Sequence, residues 1–545
     1  MHRTVDRGTA DVQPGTRLVL DSALEKRHVI AKRPQLLVAA ALLALVFVPM
    51  GLGAPDGPLL AITRPMEGTL FPRDLAPPMF RWRGDSRGGR WRVAVEAPVG
   101  HPLLDHECTT TSWRPTAEEW MRIVNGAVGR IGRFRVRLVG THGQGGGETE
   151  AAVSFSVSSD PVGAPIFYRE VPLPVGYAMD HKPLIRWKVA DLSSGDQPRV
   201  VLSGMTTCAN CHSFSADGRT LGMDLDFASD KGAYAIAPVS EVTRITSAEM
   251  MSWNDYRRED GESTFGLLTT ISPDGRYAVS TTKETIFLKF LPDPDCSQLF
   301  FPIRGILVAY DRLSRAFRPV KGADRRELIQ TNPAFSPDGR WLVFARAPVL
   351  DLPRSAGVVT PDTVENVTPS LVEGTRRVCF DLFRLPFSEG SGGDPLPILG
   401  ASSNGRSNFF PRFSPDGRWI VYCQASSMML NRLDSALYII PAAGGAARRL
   451  RSNFDDRMNS WHSFSPNGKW LVFASKATGP LTQFWLTHID PDGSDSVPFM
   501  LEGLVDEDRA GNLPEFADPS VGRLKEISVS SVIKFSGPPL PRPAK

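Results

Sequence analysis

Phe335-Ser-Pro-Asp-Gly-Arg-Trp-Leu-Val-Phe344 is one copy of a motif that organises most of this 545-residue chain. It returns as Phe413-Ser-Pro-Asp-Gly-Arg-Trp-Ile-Val-Tyr422 and Phe464-Ser-Pro-Asn-Gly-Lys-Trp-Leu-Val-Phe473. Looser copies are Ile271-Ser-Pro-Asp-Gly-Arg-Tyr-Ala-Val-Ser280 and Phe214-Ser-Ala-Asp-Gly-Arg-Thr-Leu-Gly-Met223. Proline presets the first turn angle, aspartate bonds the local backbone, and glycine takes the positive φ that closes the turn. Apolar residues flank the turn, so each copy predicts two strands joined by a tight hairpin. Repetition of such units predicts a β-propeller with four strands per blade. The uneven spacing of the copies predicts loop insertions. Five copies are visible, and six blades are expected. The sixth is expected to draw on both ends of the domain, with Leu513-Pro-Glu-Phe516 as inner strand and Leu184–Val189 and Pro198–Leu202 as outer ones. Closure of that kind leaves no free sheet edge.

Upstream of the propeller, expected at 165–535, residues 60–160 carry a different pattern. Trp91–Val95, Phe134–Val139 and Ala152–Val157 alternate or nearly alternate, as half-buried strands do. About a hundred residues of such strands predict an immunoglobulin- or fibronectin-like sandwich. Pro115–Val128 reads as one helix within it, with the proline in its first turn. His101, His106 and His142 read as surface histidines. The fold class is therefore all-β, a sandwich followed by a propeller. Residues 34–54 carry no charge and are long enough to span a bilayer. Lys26, Arg27, Lys32 and Arg33 precede them, which orients residues 1–33 to the cytoplasm and the rest outside. The segment reads as a signal-anchor, with a cleaved signal peptide as the alternative. Residues 536–545 form a Pro-rich tail. A formal net charge of +3 gives no case for nucleic acid.

Cys208-Ala-Asn-Cys211-His212 carries the chemistry. Two thiols at this spacing followed by histidine read as a c-type haem attachment site, with His212 as an iron ligand. A buried thiol pair or half a zinc site are the alternatives. Zinc needs a second ligand pair, and Cys108, Cys296, Cys379 and Cys423 are scattered singly. Haem c is attached on the outer face of bacterial membranes, so the expected topology agrees with the motif.

The Ser-Pro-Asp-Gly hairpins and the Pro441–Leu450 turn resemble the WD40-like repeat of TolB-type propellers. Cys208–Ser215, Gln298–Pro302 and Asn459–Ser465 resemble a narrower bacterial family of exported propellers with one c-type haem motif. The resemblance implies a propeller fold and one covalent haem; it implies no reaction.

His212 and His462 both lie in His-Ser-Phe-Ser segments, two residues before the repeat's first aromatic. In TolB-type repeats that strand is innermost, so both histidines are expected at the central channel. His462 is a candidate distal ligand, and Met223 is the alternative; each has a bland reading, as an inner-strand hydrogen bonder and as core filler. Met205 and Met458 are weaker candidates. Asp224, Asp226 and Asp230 suggest a calcium ion or, more simply, a solvated turn. His181 is placed near the ring closure. Cys108, Cys296, Cys379 and Cys423 fall where disulfides persist, in any of three connectivities, with Cys379 and Cys423 as buried free thiols the simpler reading. The chain lacks GxSxG, HExxH, P-loop and Rossmann motifs. Three functions follow in order: an exported electron-transfer protein with a redox partner, a periplasmic binding or assembly scaffold for protein or polysaccharide with structural or redox-sensing haem, and a peroxidase- or oxidase-like haem enzyme.

Overall fold

The computed structural model describes residues 60–530, except 85–89, 99, 128–131, 142–147, 208, 228–229, 356 and 431. The expected segments 1–33, 34–54 and 536–545, and also Cys208 and His142, lie outside the described residues. The fold is all-β: a two-sheet sandwich followed by a six-bladed propeller.

In the sandwich, a five-stranded sheet contains Thr69–Phe71, Glu148–Val157, Phe134–Thr141, Arg90–Glu96 and Pro102–Cys108. A three-stranded sheet of Ala61–Arg64, Phe80–Arg83 and Ser112–Trp113 faces it. Phe80 joins the two, meeting Trp113 on its own sheet at 5.2 Å and Phe155 on the other at 5.9 Å. The helix runs from Ala117 to Ala127. Its start is set by a capping box rather than by Pro115: Glu119 N–H donates to Thr116 Oγ1, and Thr116 N–H donates to Glu119 Oε2. His106 is on a strand, half-buried and stacked on Trp113, rather than in a surface loop.

The six blades are four-stranded. Their inner strands are Ala209–Phe214, Leu267–Ile271, Leu328–Phe335, Ser407–Phe413, Asn459–Phe464 and Arg509–Phe516, for blades 1 to 6. Each inner strand neighbours the next, and the sixth returns to the first. The repeat turns are built alike. In blade 3, Ser336 Oγ donates to Asp338 and accepts from Trp341 N–H, while Arg340 N–H donates to Asp338. Gly339 holds φ +69°. Ser215, Ser272, Ser414 and Ser465 repeat that arrangement.

Blade 6 closes the ring from both ends of the domain, in the order Arg509–Phe516, Ile166–Pro172, Arg186–Ala190, Arg199–Leu202. Ile166–Pro172 is an additional strand beyond the three expected for this blade. Every residue in it is buried, Arg169 and Glu170 included, so it shows no alternation. Glu170 is held there by Lys188 at 2.7 Å and Arg186 at 3.2 Å.

Blade 2 departs from the repeat. Its second and third strands, Tyr277–Phe290 and Gln298–Asp311, extend into a long hairpin. The hairpin's tip is held by blade 5, on the opposite side of the ring: Lys476 Nζ donates to Pro294 O at 2.8 Å and to Asp295 O at 2.7 Å. The hairpin thus straps across one mouth of the channel.

Candidate haem site at the channel mouth

A local device repeated six times shapes the channel wall. Each inner strand is bulged against its partner two to three residues before the Phe or Ile that opens the turn. Bulges re-aim side chains and cluster near functional sites. Leu268, Asn332, Phe410, Trp461 and Leu513 occupy the bulge in blades 2 to 6, all with left-handed φ. The register places Cys211 at the matching position in blade 1. These six residues form a collar around the channel.

One residue further along stand His212 and His462, with Thr269, Pro333 and Pro514 at matching positions. A channel void of about 50 Å³ lies among them, with Arg412 and Glu515 also in its wall. On the other side of the collar, under the strap, lies a cavity of about 390 Å³. Cys211, Leu268, Trp461 and Leu513 line both voids, so they are contiguous. The upper cavity is walled largely by Leu267, Leu288, Phe265, Phe290, Phe300 and Val171.

His212 is buried, and neither ring nitrogen makes a hydrogen bond. Its ring meets Phe167 edge-on at 4.6 Å, and Nε2 lies 3.7 Å from Glu515 Oε2. Burial pushes its pKa down to about 3, helped by the charges of Arg412 and Arg169. The backbones of Leu513 and Phe167 favour the protonated ring slightly, without a hydrogen bond of ordinary geometry. His212 is therefore neutral at pH 7. Burial likewise drives the Cys211 thiol upward, with the charge of Asp224 adding to it. Cys211 N–H donates to Asp224 at 3.2 Å, and burial raises the Asp224 carboxyl to about 8.

His462 faces the same void but is occupied. Its Nε2 donates to Val421 O at 2.9 Å, and Nδ1 faces the Cys423 thiol at 3.9 Å. Met223 pairs with His212 across the ladder and is fully buried. Its register counterparts Ser280, Phe344, Tyr422, Phe473 and Tyr168 are buried too. None of His212, His462 and Met223 lines the upper cavity, which contains one thioether, Met179, on the helix Val175–Asp180. Sequence pattern gave no signal for Met179, because its approach depends on blade 6 closing.

The remaining candidates have local roles. Asp226 pairs with Lys231, and Asp230 accepts from Ser252 and Asn254, so with Asp224 on Cys211 the three do not converge. His181 is exposed and stacked on Tyr177. Met205 packs into the cluster around blade 1, and Met458 is buried in the main core. Cys108, Cys211, Cys296, Cys379 and Cys423 form no disulfide among the described residues. No group of three or more His, Cys, Asp or Glu able to hold a metal occurs among the described residues.

No family model matches the chain. An uncharacterized protein of Agrobacterium fabrum is 24% identical over 167 residues, covering 29% of this chain and 54% of that protein. The chain thus spans about half the length of this curated relative. Among solved structures, TolB from Acinetobacter baumannii is similar at TM-score 0.40 and 15% identity, over 70% of this chain and 79% of that one. A putative TolB from Agrobacterium tumefaciens is similar at TM-score 0.34 and 13% identity, over 67% and 94%. These likenesses concern the fold, and the six-bladed assignment rests on the sheets described above.

Proposed function

We propose that this chain is an exported c-type haem protein that passes single electrons to or from a protein partner. One observation carries the reading. The histidine that directly follows Cys211 is buried with both ring nitrogens unbonded. An unmet buried polar group costs about 1–3 kcal/mol, and a metal would supply the missing partner. The chemistry of the residues fits a haem c. Cys208 and Cys211 would each add across a vinyl group, forming a sulfur–carbon bond while the thiol hydrogen passes to the neighbouring carbon. His212 would bind the iron after giving up its position beside Glu515. The void around His212 is too small for a macrocycle, whereas the upper cavity falls within the 300–1,000 Å³ usual for ligand pockets. Once bound, the group supplies a one-electron couple. The chain's part is to hold it in an apolar wall under the strap. Of the distal candidates, His462 would have to leave Val421 O and Met223 would have to leave the core. Met179 already lines the cavity.

Export rests on residues 34–54 as a signal-anchor placing the propeller on the outer side of the membrane. Among the described residues, no helix is long and apolar enough to cross a membrane. A second reading, a binding scaffold with structural or redox-sensing haem, draws support from one feature. A cleft of about 730 Å³ between sandwich and propeller is lined by Arg64, Arg81, Arg83 and Arg114.

The test is expression of the full chain with a cytochrome c maturation system, followed by intact mass and redox spectra. The proposal expects one haem mass and a reducible, low-spin spectrum. Colourless protein of unmodified mass sinks it. A five-coordinate spectrum with rapid peroxide binding would move the reading to a haem enzyme.

A further inference from the structure

The polar groups in the wall of the upper cavity are unevenly matched. Lys231 is paired with Asp226, and Arg169 is engaged with Asn210. Lys182 and Lys476 are different. Neither has an ion pair within 4 Å among the described residues, and both make hydrogen bonds only to backbone carbonyls, while Asp295 and Asp293 act on Lys476 from further off. Lys182 donates to Met179 O at 2.5 Å. Lys476 donates to Pro294 O and Asp295 O, and its side chain is buried. An ammonium carries three donors, so Lys182 has two left and Lys476 one.

The two lysines come from adjacent blades. Lys182 lies in the blade 6 connection between Ile166–Pro172 and Arg186–Ala190, and Lys476 follows the second strand of blade 5. Both line a cavity whose other surfaces are mostly apolar. Charge taken out of water is stable only when matched, a demand that falls on the buried Lys476 more than on the half-buried Lys182. A cavity with an apolar body, two cations free of short ion pairs and one carboxyl, Asp224, bonded by Cys211 N–H, is complementary to a ligand with an apolar body and two anionic groups.

We propose that Lys182 and Lys476 form a dianion-binding subsite, selecting an amphipathic dicarboxylate whose apolar body fills the cavity beneath the strap. This rests on the haem reading, since the two propionates of haem have that chemistry. It adds which residues take them. It also predicts that the cavity recognises the diacid without iron and without thioether bonds.

The test uses the full chain as C208S/C211S, titrated with metal-free protoporphyrin IX and separately with its dimethyl ester, read by quenching of tryptophan fluorescence. The diacid is expected to bind about tenfold or more tightly than the diester, as expected for one or two charged hydrogen bonds. In K182M/K476M, diacid affinity should fall by about that factor while diester affinity stays within about twofold. K182R/K476R should restore the preference. Equal affinity for diacid and diester in the parent overturns the subsite. So does an equal loss for both ligands in K182M/K476M, which marks a loosened strap instead. Unmodified mass in the wild-type chain together with a retained diacid preference removes the haem reading and keeps the subsite. Haem attached in the wild type with no lysine dependence does the reverse.

Discussion

His212 and His462 stand at matching register in two identical His-Ser-Phe-Ser segments, one opening blade 1 and the other blade 5. The serines behave alike. Ser213 Oγ accepts the N–H of Ile271, and Ser463 Oγ accepts the N–H of Phe516, each at 3.0 Å from the next blade's inner strand. The histidines do not. His462 bonds Val421 O on the preceding blade. The carbonyl at the matching place before blade 1 belongs to Phe167, and His212 meets that residue's ring instead of bonding its oxygen. Next to each histidine stands the collar residue, Trp461 in one blade and Cys211 in the other. The same tetrapeptide thus carries a hydrogen-bonded histidine in blade 5 and an unbonded one in blade 1. The motif marks the strand; the neighbouring blade sets the role.

The largest effect expected concerns the cysteines. C208S/C211S should lose the added haem mass completely and remain folded by circular dichroism, whereas C423S, beside His462, should keep the full mass. Haem retained in the first variant breaks the assignment of chemistry to blade 1. Next come the histidines themselves. H212A should abolish the low-spin spectrum of attached haem with little loss of stability. H462A should leave the spectrum in place and lower stability by about 1–3 kcal/mol, because Val421 O is left buried and unbonded. Spectral loss in H462A, seen by absorption of the reduced protein, would instead make it the distal ligand.

A smaller effect is expected with pH. Burial depresses His462 to about 3 from its ordinary 6.5. Between those values the unfolded chain takes up a proton that the folded chain refuses, so this contribution to stability is lost as pH falls from about 6.5 toward 3. Glu284 and Glu515, raised to about 7 by burial, act in the opposite sense. The urea midpoint of H462Q relative to wild type should therefore rise as pH is lowered from 6.5 to 4.5. A constant difference would mean that burial does not hold the His462 imidazole neutral in the folded chain.

The smallest expected effect lies just beyond the histidines, in the turns. Blade 1 carries Asp217 where blade 5 carries Asn467. The Asn467 amide keeps the turn's acceptor role and donates from Nδ2 to Pro161 O at 2.6 Å, in the segment leading from the sandwich. N467D should cost about 1 kcal/mol by placing a carboxylate against that carbonyl. D217N should be nearly neutral. Thermal unfolding of the two variants measures the difference.

The strands and turns of five blades were legible because each hairpin is a local bargain among Ser, Pro, Asp and Gly. The closing blade was legible in part. Leu513–Phe516, Leu184–Val189 and Pro198–Leu202 carried strand patterns, while Ile166–Pro172 is buried on both faces and shows no period. The collar left a trace in Asn332-Pro333, Phe410-Pro411 and Leu513-Pro514, where proline follows each bulge residue, but residues alone did not say what it encloses. Asn467 departs from the aspartate of the other copies, and what it bonds there, Pro161 O, lies far away in the chain. Met179, Lys182 and Lys476 had no pattern at all, since they belong to one cavity only after blade 6 closes and the blade 2 hairpin crosses the mouth.

Residue order was enough to specify the hairpins, the all-β class and the presence of a CxxCH leading into the first repeat. These depend on contacts among near neighbours in the chain. Tertiary structure alone gave His462 a hydrogen bond and His212 none of ordinary geometry, paired some cavity cations and left two without a short ion pair, and joined the channel void to the upper cavity. Each of those outcomes depends on a carbonyl, carboxylate or side chain delivered by another blade, and no local pattern encodes where a distant strand will place its oxygen.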